Sequence, residues 1–172
     1  MHTEMVHGAD PRPIRRIAAV EAVAGKVLAV TWDHGGTDEV DLSGWIGFHD
    51  IAELRDESVF RRPEIAEYGS AVQWAGNEDL AIDSVHLELL AEQQRPFSST
   101  DLTAWQDHLG LSNQEAADIL DVALSTFHTY KNGTARIPSA VQIACRAIER
   151  DPLLFEAHYR PRRPSGRPPK AA

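Results

Sequence analysis

Between Leu111 and Gly133 the chain sets out side chains suited to meeting a nucleic acid: Gln114, Leu124, Ser125, Thr126, His128, Thr129, Lys131 and Asn132. Ser, Thr and His hydrogen-bond base edges, a Leu packs on a thymine methyl, and Lys and Asn hold a phosphate backbone. Residues for bond-breaking chemistry are scarcer. Asp33-His34 would serve as an acid/base pair, but Gly35-Gly36 follow directly and mark the stretch as a turn. Asp38, Glu39 and Asp41 alternate along an extended segment, so at most two share a face, too few for an oxygen-only metal site. Cys145 is the single cysteine, which excludes an internal disulfide and a cysteine-based zinc site. Beside Ala144 and Ile148 it reads as a small core residue. The expectation is a protein with no catalytic residues, metal or cofactor.

Two short helices must position the polar set. Ser112 and Glu115 have the spacing of a capping box, with Ala116, Ile119 and Leu120 on one face of the helix that follows. The pattern breaks at Asp121-Val122 and restarts with Phe127 and Tyr130 facing inward. Lys131-Asn132-Gly133 ends it, Gly133 suiting the left-handed position past a helix end. Ala116 and Ala117 allow close approach. This is a helix-turn-helix, and the exposed positions of its second helix are Leu124, Ser125, His128 and Thr129, with Thr126 near the groove floor. Upstream, Ser98-Ser99-Thr100-Asp101 starts a helix carrying Leu102, Trp105 and Leu109 on one face. Downstream, Val141, Ala144, Cys145 and Ile148 form an i, i+3, i+4, i+7 stripe, and Asp151-Pro152 opens a last short helix.

The stretch resembles the lambda-repressor/Cro-like family, including its xenobiotic-response-element group, through Gln114, Ala117, Val122, Thr126, Asn132 and Gly133. The resemblance implies an all-α, five-helix domain that binds double-stranded DNA as a sequence-specific transcriptional regulator, a repressor. It further implies that Gln114 bonds a phosphate, helped by the amides at its helix start, and that the second helix enters the major groove. Two positions depart from the pattern. Asp121 stands where the turn usually has Gly, and Ala123 where a Ser or Thr cap is usual. Asp tolerates a left-handed backbone, and it is expected to cap the second helix in place of Ala123.

The first half reads as a small α+β domain, an antiparallel sheet with one or two helices. Strands are expected over 14–23 and 26–32 around Ala24-Gly25, and again over 38–45. A helix is expected over His49–Asp56, a strand at Ala71–Trp74, and a helix capped by Asp83. Trp32, Trp45 and Trp74 read as core aromatics. The run KVLAVTW, VDLSGW and YGSAVQWAGNEDLAID resembles a small bacterial domain of unknown function that occurs alone or fused ahead of a repressor-like helix-turn-helix. Stand-alone copies are suspected antitoxins, so the alternative is an interaction module that neutralises a toxin-like protein.

The boundaries expected are a flexible lead over 1–13, the α+β domain over 14–92, a linker over 93–98, the helix-turn-helix domain over 99–159 and a basic Pro-rich tail over 160–172. The tail's RRPSGRPPK resembles an AT-hook with Ser165 replacing one core Arg, which would send Arg167 into a narrow minor groove. Charge divides unevenly. Residues 1–96 carry 18 Asp and Glu against 8 Lys and Arg, a net of −10. Residues 97–172 carry 8 against 9, a net of +1. So weak an electrostatic footprint implies few phosphate contacts and modest affinity for a single module, which favours a homodimer. No apolar run approaches the ~20 residues of a membrane helix, and the N-terminus lacks a signal-peptide core. A cytoplasmic protein is expected.

Overall fold

The computed structural model describes residues 13–162. The chain divides into two compact units, residues 1–95 and 96–172. The first is α+β, and among the described residues every regular element of the second is a helix.

Two antiparallel meanders build the first unit: β1 (Ile17–Ala22), β2 (Val27–Trp32) and β3 (Thr37–Asp41), then β4 (Pro63–Ile65), β5 (Ala71–Trp74) and β6 (Asn77–Asp83). Period-two alternation in β2 turns Leu28, Val30 and Trp32 into the core. Trp74 stacks on Phe60 there, their centroids 5.7 Å apart, and donates its indole N–H to the Phe60 carbonyl at 3.0 Å. Of the three tryptophans read as core, Trp32 and Trp74 are buried, while Trp45 is half-buried at the edge.

Several expected elements differ. The third strand stops at Asp41, whose carboxylate accepts the Ser43 amide at 2.8 Å, and helix α1 (Ser43–Phe48) replaces the rest. This local side-chain bond competes with the sheet ladder, and the chain turns over where an apolar run had suggested more strand. The helix expected over His49–Asp56 shrinks to a 3-10 turn at Glu53–Arg55. Asp50 takes a left-handed φ of 54° and Asp56 is extended, so the backbone is broken twice; Asp56 then caps α2 (Glu57–Phe60) through the Ser58 amide. Strand β6 comes from NEDLAID, where no strand is expected. Gly69 marks the tightest backbone approach: at φ +67° it lies against Ile17 of β1, with no room for a Cβ.

Helix α3 (Ser84–Gln94) starts on Asp83, whose carboxylate accepts the His86 amide at 2.9 Å. It extends into the segment expected as a linker. The Gln94 side chain pairs with the Asp41 backbone in both directions, at 2.7 and 2.8 Å. Arg95 grips Asp38 with two N–H groups, at 3.1 and 2.8 Å, and Asp38 also accepts the Trp32 indole N–H at 2.8 Å. Asp38 therefore ties the helix end to the sheet. The Arg95 guanidinium, more than any other contact, holds the Asp38 carboxyl below the usual range.

The second unit is α4 (Ser99–His108), α5 (Asn113–Ile119), α6 (Leu124–Lys131), α7 (Ser139–Arg150) and α8 (Pro152–His158). Leu102, Trp105, Phe127, Tyr130, Val141, Cys145 and Ile148 bury together, as the helical periodicities require. Capping boxes close the starts of α4 (Ser98 with Asp101) and α5 (Ser112 with Glu115). No described helix is long and apolar enough to cross a membrane.

Candidate nucleic-acid interface

The turn joining α5 to α6 is a Schellman motif built on a residue other than glycine. Asp121 sits at φ 53°, its amide bonds the Asp118 carbonyl at 3.2 Å, and the Val122 amide reaches back to the Ala117 carbonyl at 3.0 Å. Ala116 and Ala117 are fully buried, so α5 presents backbone rather than bulk to its neighbours. Phe127 and Tyr130 anchor α6 from below. At its far end the Thr134 amide bonds the Thr129 carbonyl at 3.1 Å past Gly133, φ +75°. No side chain caps α6: Ala123 is its N-cap residue, and Asp121 makes no capping bond. The expected substitution of Asp121 as cap fails because its left-handed backbone closes α5 instead.

The sequence-derived set is brought to one side only in part. Ser125, His128 and Asn132 are exposed along α6. Leu124 is half-buried and packs against the core, so the expectation of an exposed Leu is corrected: it reaches inward as well as out. Thr126 and Thr129 are also half-buried. The Thr129 hydroxyl donates to the Thr126 carbonyl at 2.7 Å, leaving it only lone pairs to offer a base. The Asn132 side-chain oxygen, Oδ1, accepts from the amide and the hydroxyl of Thr134, at 3.1 and 2.7 Å. That bond shapes the turn after α6, and the side-chain NH2 is what could reach a backbone. Lys131 donates to Asn113 Oδ1 at 3.2 Å, linking the end of α6 to the start of α5. The same oxygen accepts from Gln106 at 3.0 Å, and Gln106 also bonds the Leu111 carbonyl at 2.9 Å. Arg167 lies outside the described residues.

Gln114 lies on the outer side of α5 and donates to Asp118 Oδ1 at 2.9 Å. Asp118 also receives Arg162 in a bidentate pair, Nε at 2.7 Å and Nη2 at 3.1 Å. Next to it, Glu115 Oε1 accepts the Tyr159 hydroxyl at 3.0 Å and the Arg162 amide at 3.1 Å. With the Ser112 amide and hydroxyl on its other oxygen, at 2.9 and 2.7 Å, this carboxylate is stabilised by four donors. Led by the Ser112 backbone bond, they hold its pKa down at about 2. Residues 159–162 are thus fastened to α5, the last three of them past residue 159, the expected end of the domain. Asp118, Tyr159 and Arg162 were not among the residues expected here. Only the i, i+4 spacing of Gln114 and Asp118 could have signalled part of the cluster, since the contact with Arg162 crosses 44 residues.

Among the described residues no group of three or more His, Cys, Asp or Glu side chains could hold a metal. The Asp33 and His34 side chains do meet, at 2.8 Å, but both are about half exposed in an open turn.

No family model matches this chain, and no curated protein matches it. A crystal structure of a candidate DNA-binding protein from Nitrosomonas europaea ATCC 19718 aligns with 78% of this chain and 86% of its own, at 28% identity and a TM-score of 0.42. That score is too low to show a shared arrangement.

Proposed function

We propose that the protein is a sequence-specific DNA-binding transcriptional regulator, acting as a repressor, without enzymatic activity. The observation that carries this is the α5–turn–α6 pair: an alanine seam, a closed left-handed turn, and a second helix whose outward stripe, Ser125, His128 and Asn132, is polar. A helix anchored by Phe127 beneath and polar above is shaped to enter a major groove, where hydroxyl and imidazole groups bond base edges. In this reading α5 crosses the backbone and α6 reads bases. Ser125 and His128 are the principal readers, Thr126 and Thr129 contribute from the flanks, and Leu124 offers only the part of its side chain not packed inward.

The helical half carries a net charge of +1, so a single copy gains little from counterion release. A homodimer reading two half-sites would supply the missing affinity. The acidic first unit, which the DNA backbone would repel, serves partner contact or sensing rather than DNA contact.

The test is selection of fragments bound from the host genome by the full chain, read at two salt concentrations. The reading requires an enriched sequence that persists at the higher salt. Enrichment no greater than for random DNA overturns it. Ser125→Ala and His128→Ala should each lower discrimination between the enriched fragment and a scrambled duplex by about 1–3 kcal/mol.

A further inference from the structure

We propose that Arg162 and Gln114, brought together on Asp118, form a clamp for one phosphate of the DNA backbone. This rests on the DNA-binding reading and adds to it a contact from beyond the helix-turn-helix.

Geometry comes first. The Gln114 amide nitrogen and one Arg162 guanidinium nitrogen lie 2.9 and 3.1 Å from the same carboxylate oxygen. They are therefore neighbours, close enough to share a single tetrahedral ligand. Neither is exhausted: the amide has a second N–H, and the guanidinium has five, of which Asp118 engages two. What is left over is a fork of donors, and a fork matches a phosphate better than a point charge does.

Position comes second. Gln114 and Asp118 are i, i+4 on α5 and therefore share a face, while Ala116, on the far side of the helix, is buried. This is the helix that crosses the backbone in the proposed complex. Arg162 does not reach it as a loose arm. Its amide is bonded to Glu115, and the Tyr159 hydroxyl holds the same oxygen, with the Tyr159 ring stacked on Phe155 at 4.9 Å. A donor held in place before binding loses less side-chain entropy when the phosphate arrives.

Charge comes third. Asp118 beside Gln114 would by itself repel a phosphate. Arg162 pairs with that carboxylate, offsetting one of the two negative charges that Asp118 and Glu115 place there, while remaining open to solvent, its side chain 57% exposed against 35% for Asp118.

The experiment measures binding of the full chain to two duplexes, the genomically enriched fragment and a scrambled one, by fluorescence anisotropy across a salt series. Arg162→Gln should weaken binding to both duplexes alike, roughly tenfold, and reduce the slope of log K against log salt by about one. Arg162→Lys, which keeps the charge and loses the fork, should fall between. Adding Asp118→Asn to Arg162→Gln should recover part of the loss, because the bare carboxylate is gone. Far-UV circular dichroism, expected to be unchanged, separates these effects from unfolding. Unaltered affinity and slope in Arg162→Gln, or a loss confined to the enriched fragment, overturns the clamp while leaving DNA binding intact. A wild-type chain that binds neither duplex overturns both.

Discussion

Gly69 offers a sharp test of how the first unit is packed, because two glycines there share a backbone conformation and differ in what surrounds them. Gly69 has φ +67°, and a Cβ built on it would stand 2.8 Å from the Ile17 amide nitrogen and closer still to the Ile17 carbonyl oxygen. Gly76, at φ +61°, has nothing within 4 Å of the same position. Alanine at either site carries the left-handed penalty of roughly 1–2 kcal/mol, offset in part by about 0.4–1 kcal/mol from a less free unfolded chain. Only at Gly69 must backbone also move. Ile17 is buried and pairs with Trp32 across β1 and β2, so relief of the clash displaces strand and core together, an overpacking cost of typically 1–3 kcal/mol. Gly69→Ala should therefore be less stable than Gly76→Ala by about 1–3 kcal/mol. Urea unfolding followed by tryptophan emission reads this difference, since three of the four tryptophans, Trp32, Trp45 and Trp74, lie in the first unit. Equal midpoints and slopes for the two variants would refute the close approach of residue 69 to β1.

Three further outcomes are expected. Asp38→Ala strips the Trp32 indole of its acceptor and Arg95 of its partner, and should cost about 1–3 kcal/mol in the same urea experiment; Asp38→Asn, which can still accept from the indole, should cost less. For Glu115 the folded pKa is depressed from an ordinary 4.5 to about 2, so its contribution is present above pH 4.5 and is lost as pH falls toward 2. The stability gap between wild type and Glu115→Gln, measured by thermal melts across that window, should close with acid; a gap that widens would contradict the four-donor arrangement. Cys145 is fully buried, and burial pushes its thiol up to about 12. Alkylation by iodoacetamide near neutral pH should then proceed only at the rate at which the helical unit opens, whereas fast labelling of the native chain would place the thiol at the surface.

Much of this protein is settled by local sequence. Ser112 with Glu115, Ser98 with Ser99-Thr100-Asp101, Asp83 before an apolar stretch, and Gly133 after Asn132 act within one helical turn, so their bonds form wherever the chain goes. Leu28, Val30 and Trp32 alternate, and Val141, Cys145 and Ile148 recur at helical spacing; each pattern decides which face is buried before any partner is known. Even the departure at Asp121 was legible, because the left-handed position it fills is a local property of the chain. What it does there was not: it ends one helix rather than starting the next, and α6 goes without a side-chain cap.

The tertiary structure decided what depends on residues far apart. Asp38 proves to be an anchor because Arg95 and Trp32 converge on it, Arg95 from 57 residues away. The polar face of α6 is narrower than its periodicity suggests, since Leu124 has core neighbours and the Thr129 hydroxyl has a carbonyl. The cluster of Gln114, Asp118 and Arg162 belongs to the same class. Spacing places the first two on one side of α5, but only the fold carries residue 162 back to meet them, fastened through Tyr159 to a carboxylate that the sequence had assigned to capping alone.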